Sequence, residues 1–339
     1  MAKPIIAVDV MGGDIGPSCT VPACIAYLKQ RYNVKLILVG QPATIAPLLP
    51  KNSDPVHSRL QIMHASEVVT MNDSIAVALR GKPNSSMKLS LELVRNGKAN
   101  ACVSAGNTGA LMALARYTLK TIEGIDRPAM MCALPTQVGK ACYLLDLGAN
   151  VDCTAEQLFQ FGVMGTVAAE VLGVQRPKVA LLNIGLEDIK GNQQIKQATH
   201  LLACQHKVNY VGFVEADGVY RGDVDVVVCD GFVGNVLLKA SEGVLKLLSN
   251  RLESRFKANW LSKLKGLVMF LPMLRGLRKD LSPERYNGAS FLGLQGVVVK
   301  SHGGANKEAF QYALDHAFKE VNEGLQGRLA KQLGQLLAD

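Results

Sequence analysis

Six short stretches of this 339-residue chain set glycine beside Asn, Asp, Ser or His just after an apolar run. They are Met11-Gly-Gly-Asp14, Ser104-Ala-Gly-Asn-Thr-Gly109, Asp146-Leu-Gly-Ala-Asn150, Asn183-Ile-Gly185, Asp230-Gly-Phe-Val-Gly-Asn235 and Ser301-His-Gly-Gly-Ala-Asn306. Glycine lets main chain approach a ligand closely, and the free N–H groups at a helix start attract anions. Ser104, Gly106, Asn107, Thr108 and Gly109 make the best phosphate cradle, although any one such turn is also an ordinary helix cap. Lys190, in Glu187-Asp-Ile-Lys-Gly191, offers a point charge to phosphate or to a developing oxyanion; an exposed lysine at a helix start reads the same way. Arg80 and Arg127 are further anion candidates, each more often a surface ion-pair residue. His302 stands between a strand end and a helix start. That suits a general acid or base of ordinary pKa about 6.5, and equally a hydrogen-bonding turn histidine.

Other chemistries lack their spacing. There is no Gly-x4-Gly-Lys-Ser/Thr loop for a nucleotide, and no Gly-x-Gly-x-x-Gly after the first strand for a dinucleotide. There is no His-Glu-x-x-His, so no catalytic metal and no cofactor is expected. There is no Gly-x-Ser-x-Gly elbow for a serine hydrolase. The eight cysteines form no Cys-x-x-Cys pair and mostly sit in apolar contexts, as buried free thiols of a reducing cytosol do.

The elements that must position the turns follow from patterning. Apolar runs at Ile5–Val10, Leu36–Val39, Ala101–Val103, Tyr143–Leu147, Val179–Asn183, Tyr210–Val214, Val224–Cys229 and Val297–Val299 read as strands buried on both faces. Helix-period segments lie between them: Pro17–Arg31, Ser86–Asn96, Thr108–Thr121, Ala155–Leu172, Lys190–Ala203, Asn235–Phe256 and Asn306–Leu337. Alternation of this kind predicts an open, doubly wound, mostly parallel α/β sheet in an α/β/α layer arrangement, as a single domain over 1–339. Ligands of such sheets bind at the carboxyl ends of strands, so the six turns are expected to converge on one site. The first residues lack the layout of a signal peptide and read as the first strand of a cytoplasmic protein.

Charge is placed unevenly. Residues 246–285 carry ten Lys/Arg against three Asp/Glu, +7 of the chain's net +9. The remainder is nearly neutral and only 5% of the chain is aromatic, which argues against nucleic acid. Within the basic stretch, Gly266–Leu274 is apolar and uncharged, too short for the roughly 20 residues of a membrane span. The stretch reads as a basic amphipathic helical arm that meets a membrane surface or an acidic partner. Lys263, Lys265, Arg275 and Arg278 carry its charge, and Leu267, Val268, Phe270 and Leu271 form its tip. A solvated hairpin packed on the body or on a second subunit is the plainer alternative.

At its glycine turns the chain resembles the bacterial acyl carrier protein:phosphate acyltransferases of phospholipid synthesis. The stretches that carry the resemblance are Val8-Asp-Val-Met-Gly-Gly-Asp14, Asn84-Ser-Ser-Met87, Ser104–Leu111, Gly124-Ile-Asp-Arg-Pro128, Leu145–Val151, Leu181–Gly185, Lys190-Gly191, Asp230-Gly-Phe232, Gly234-Asn235, Tyr286-Asn-Gly-Ala289 and Ser301-His-Gly303. They run in the family's order over nearly the whole length. The resemblance implies a fold related to phosphotransacetylases and isopropylmalate dehydrogenases, and a cytoplasmic homodimer that is peripheral on the membrane. It implies conversion of long-chain acyl carrier protein and inorganic phosphate to acyl phosphate and free carrier, which feeds a glycerol-3-phosphate acyltransferase. Matching turns place Asp9, Gly12, Gly13, Asp14, Asp146, Gly148, Asn150 and Gly288 around the substrate. Relatives often have Thr where this chain has Val233, and some have His where it has Ile15.

Acyl transfer to phosphate needs two anions held near a thioester. The residues then take these roles: Ser104, Asn107, Thr108 and Gly109 hold phosphate with Lys190 balancing charge, Asn183 or Asn235 donates to the oxyanion, and His302 or Asp230 handles the proton. No cysteine nucleophile is required. Two rivals are an isopropylmalate-type NAD-dependent dehydrogenase, which needs clustered aspartates and a metal, and a non-catalytic scaffold that binds carrier protein or membrane.

Overall fold

The computed structural model describes residues 3–51, 53–258 and 287–336. Eleven strands form one sheet: β1 (Ile5–Asp9), β2 (Lys35–Gly40), β3 (Leu60–His64), β4 (Ala101–Ser104), β5 (Ala129–Pro135), β6 (Ala141–Leu145), β7 (Lys178–Leu182), β8 (Asn209–Val214), β9 (Val226–Val228), β10 (Ala289–Leu292) and β11 (Val297–Lys300). Their order is β3-β2-β1-β4-β11-β10-β5-β6-β9-β7-β8. Helices are α1 (Pro17–Gln30), α2 (Pro42–Ile45), α3 (Ser86–Arg95), α4 (Thr108–Leu119), α5 (Ala155–Val171), α6 (Gln193–Cys204), α7 (Gly231–Ala258), α8 (Lys307–Asn322) and α9 (Leu325–Leu336).

The sheet is mostly parallel and layered between helices, as the patterning predicts. On one face α3, α4 and α7 pack over Cys102, Leu144, Val227 and Val298. On the other, α1 and α8 cover β1, β4 and β11, while α5, α6 and α9 cover β6, β7 and β9. Strand residues such as Ile6, Ala7, Val226 and Val227 are wholly buried, which is why these runs are apolar on both sides.

One feature departs from the expectation. Strands β1, β2, β3, β4 and β11 are mutually parallel, and so are β6, β7, β8 and β9. Between the blocks, β10 is antiparallel to both β11 and β5, and β5 is antiparallel to β6. The two parallel blocks therefore run in opposite directions. Three strands, β3, β5 and β10, were not among those expected. Ala-Met-Met-Cys-Ala-Leu-Pro in β5 has no β-branched residue, Leu60-Gln-Ile-Met-His alternates weakly, and Ala289-Ser-Phe-Leu is short. The helix expected over Asn306–Leu337 is two, broken where Gly324 takes φ 65°. The first part of the basic arm is the end of α7. Its remainder, with Lys263, Lys265, Leu267, Val268, Phe270, Leu271, Arg275 and Arg278, lies outside the described residues.

Candidate active site

Neighbouring strands β1, β4 and β11 bring the turns Met11–Asp14, Ser104–Gly109 and Ser301–Asn306 together at one end of the sheet. Asp9 is their hub. It is 1% exposed and accepts from Ser86 Oγ at 2.6 Å, from Ser104 Oγ at 2.7 Å and from the main chain of Met11 and Gly12. Burial pushes its carboxyl above the usual range, and these four donors pull it back. The turns interlock so closely that a Cβ on Gly12 would stand 2.7 Å from Gly106 N, and one on Gly106 would overlap the Met87 methyl. Asp14 N donates to Gly303 O at 2.9 Å.

The side chains expected to hold phosphate are already engaged. Ser104 Oγ donates to Asp9 and accepts from Gly106 N at 3.1 Å. Asn107 Oδ1 caps α4 through Ala110 N at 3.0 Å, while its Nδ2 donates to Met71 O at 2.8 Å. What remains open is main chain. The N–H groups of Thr108 and Gly109, in the first turn of α4, have no acceptor among the described residues, so they carry the anion-binding capacity of this turn.

His302 is held by Asn287, whose Oδ1 accepts from His302 N at 2.8 Å and whose Nδ2 donates to Ser301 Oγ at 2.9 Å and Ala309 O at 2.7 Å. The ring's Nδ1 accepts from Gly304 N at 3.0 Å. A backbone N–H only donates, so the neutral ring carries its proton on Nε2 and presents a donor outward. Partial burial, foremost among its causes, holds His302 below the ordinary histidine pKa and keeps it neutral at pH 7. The expected acid or base is thus arranged as a hydrogen-bond donor. Gly288, expected near substrate, packs on α8 instead, where a Cβ would meet Ala313 Cα at 3.2 Å.

At the opposite end of the sheet, β6, β9 and β7 gather Asp146–Asn150, Asp230–Asn235 and Asn183–Lys190. Asp146 is the hub here, with no exposed surface. Its Oδ1 accepts from Met130 N, Leu147 N and Ala149 N at 2.8, 2.7 and 3.2 Å, and its Oδ2 from Asn150 N and Nδ2 at 2.6 and 3.0 Å. Losing the carboxylate would strand these donors at about 1–3 kcal/mol for each one left buried and unpaired. Asp230 caps α7 through Val233 N at 2.8 Å. A Cβ on Gly231 would stand 2.6 Å from Asn150 O, so only glycine lets α7 start against this turn. Asn235 is exposed beside Gly148. Lys190 is exposed and folds over Gly185, and Asn183 Nδ2 is buried without a hydrogen-bond partner.

The six turns therefore make two clusters, not one, because the strand blocks that carry them have opposite polarity. Helix α7 leaves the Asp146 cluster and reaches Tyr220 through Ser241, eleven residues and about 16 Å further on, with its Glu242 close enough to influence His302. Helix α4 runs the other way on the same face, from the Thr108 turn toward Ala149. A groove of about 550 Å³ follows it, lined by Ile75, Met112, Ala113 and Tyr117, with Arg116 and Lys120 at hand.

Lys300 was not singled out from the sequence, where Val-Val-Val-Lys reads as the tail of a strand. It is 7% exposed, and its Nζ donates to Ser301 O and to Ala105 O, the latter at 3.4 Å. Among the expected anion candidates, Arg80 is exposed and Arg127 faces Asp126 at 3.9 Å. Burial pushes the Cys132, Cys142 and Cys153 thiols up to about 12, so they stay protonated and poorly nucleophilic at neutral pH.

Known proteins resemble this chain in sequence and in fold. The chain is 58% identical over 337 residues to a phosphate acyltransferase of Ectopseudomonas mendocina (strain ymp), covering 99% of this chain and 100% of the relative. It is 59% identical over the same length and coverage to a phosphate acyltransferase of Pseudomonas aeruginosa (strain UCBPP-PA14). The crystal structure of a phosphotransacetylase from Streptococcus pyogenes shares the fold, with TM-score 0.62 at 17% identity over 95% of this chain and 94% of that one. The family described as fatty acid synthesis protein matches residues 5–328, from the first buried strand to the helix that closes the second layer, and the chain belongs to that family.

Proposed function

We propose that the chain is a phosphate acyltransferase that moves a long-chain acyl group from acyl carrier protein to inorganic phosphate. The observation that carries this reading is near-60% identity, end to end, to relatives named phosphate acyltransferase. The open N–H groups of Thr108 and Gly109 support it, since the reaction needs a held oxyanion and no cysteine nucleophile. Phosphate is itself the nucleophile and thiolate a good leaving group, so catalysis reduces to positioning and charge. His302, as a neutral donor, suits the thioester oxyanion. The test is incubation with palmitoyl-carrier protein, with and without phosphate. Free carrier thiol and a hydroxamate-trapped acyl phosphate are expected only with phosphate; equal thiol release without it describes a thioesterase.

The acting form is a homodimer in this reading. Measured along α7, Asp230 lies twelve residues, about 18 Å, from Glu242, whose charge reaches His302, and Asn235 lies seven residues, about 10 Å, from it, so neither meets His302 at one carbonyl within a chain. A two-fold pairing that sets one cluster against the other cluster of a second copy unites them twice over. The rim of the Asp146 cluster suits burial against a partner: Ile184 and Ile189 are each 80% exposed, and Val151, Leu186 and Phe232 more than half.

Among the described residues no helix is long and apolar enough to cross a membrane. A cytoplasmic protein that touches the membrane through its basic arm is the proposed placement, delivering acyl phosphate to a glycerol-3-phosphate acyltransferase. Each Lys or Arg near an anionic surface contributes about 1 kcal/mol, and salt screens it. Co-sedimentation with anionic vesicles should fall in high salt and fall again when Val268, Phe270 and Leu271 are made polar. Intact vesicle binding together with a raised KM for the carrier substrate when Lys263, Lys265, Arg275 and Arg278 are changed to Glu would assign the arm to carrier protein.

A further inference from the structure

We propose that Lys300 is the cation that holds inorganic phosphate in the nucleophile's position, between the turn Ser104–Gly109 and the turn Ser301–Gly304. The identity of the anion rests on the acyltransferase reading; the existence of an anion site does not. An ammonium group is strongly hydrated in water, and burying it is costly unless an opposite charge replaces that hydration. Lys300 is more than nine-tenths buried, yet no carboxylate of the described residues lies within ion-pair distance of it. Its protein acceptors are two carbonyls, Ala105 O and Ser301 O, which satisfy two of three N–H bonds and pair the charge with no carboxylate directly.

Asp14 and Asp9 offset the charge only in part and are outweighed by burial and by Lys239. Asp9, from β1, has its oxygens occupied by Ser86, Ser104 and main-chain donors. Asp14 is exposed at the turn beside Gly303. From α7, Lys239 opposes the charge and itself faces Glu242 at 3.9 Å. His302 is neutral, with its Nδ1 engaged by Gly304 N. Ala105, whose carbonyl Lys300 reaches, lies three residues before Thr108 and its open N–H groups. A lysine charge and a helix start, presented by adjacent strand ends, are the two complements a tetrahedral oxyanion needs.

Burial, followed by Lys239, pulls the Lys300 ammonium down to about 8. The neutral amine holds no anion, so the free enzyme loses phosphate affinity as pH rises through that value, and bound phosphate drags the pKa back up. Inorganic phosphate binding to the full-length protein, measured by calorimetry with no acyl donor present, tests the site apart from turnover. Lys300→Met should weaken phosphate about 10- to 100-fold. Lys300→Arg should keep the affinity and abolish its decline above pH about 8, because arginine does not deprotonate. In turnover, KM for phosphate should rise in Lys300→Met while KM for the acyl carrier stays put. Unchanged phosphate binding in Lys300→Met overturns the proposal, as does a persistent alkaline decline in Lys300→Arg. A rise confined to the acyl-carrier KM would give the lysine to the phosphodiester of the carrier's arm and overturns it too. Wild-type protein that binds phosphate but transfers no acyl group would sink the acyltransferase reading and leave this site standing.

Discussion

Lys190→Ala lowers kcat/KM by about 10²–10³ and leaves the melting temperature unchanged. The size is that of one positioned donor at a developing oxyanion, roughly 2.7–4 kcal/mol. The separation of activity from stability follows from where the side chain lies. Lys190 is exposed, lies over Gly185, and forms no ion pair with another described residue, so folding does not depend on it. Exposed substitutions of this kind usually stay within about 0.5 kcal/mol. The neighbouring Asn183 Nδ2, buried and unpaired, marks the same turn as incompletely satisfied in the free protein. Steady-state kinetics beside a thermal melt decide the matter. Near-normal kcat/KM would make Lys190 an idle surface lysine; a large drop in melting temperature would make any activity loss uninformative about chemistry.

The layer architecture was legible because buried strands leave a direct trace. Ile5–Asp9 and Val226–Val228 are apolar on both faces since helices cover both faces. Strand polarity leaves no such trace. Whether β6 runs with or against β4 is decided by β5 and β10, and those two strands are hidden in Ala-Met-Met-Cys-Ala-Leu-Pro and Ala-Ser-Phe-Leu. Without them, six glycine turns at strand ends look like one site. Residue roles were legible only in part for a related reason. Ser104 and Asn107 have the right types for an anion, but Asp9 and Met71 claim their side chains, and neither partner is near in sequence. The His302 tautomer is set by Gly304 N, a local contact that a sequence gives no means to orient. Lys300 escaped because its importance is its burial, and a lysine ending Val-Val-Val-Lys gives no sign that both flanking turns close over it.

Lys190→Ala and His302→Ala, each nearly inactive alone, recover activity when mixed and allowed to exchange subunits. In the proposed two-fold dimer, which would pair the Lys190 cluster of one copy with the His302 turn of the other, each variant by itself places one defect in every composite site. A mixed dimer distributes the defects differently. One of its sites takes both altered clusters, and the other takes two intact ones. Random exchange makes half the dimers mixed, with one working site of two, so about a quarter of wild-type activity returns. Single-chain action predicts no such recovery, since every chain then carries its own defect to its own site. The control is a chain with both substitutions mixed with wild type. There each mixed dimer has two singly defective sites, and activity drops below that of the unexchanged mixture. Sedimentation verifies that the species is a dimer, and denaturation followed by refolding together drives the exchange. Absence of recovery in a verified mixed dimer would return both clusters to a single chain. One of them would then leave the reaction altogether, because the two clusters stand at opposite ends of the sheet and acyl transfer requires reacting atoms roughly 3–3.5 Å apart.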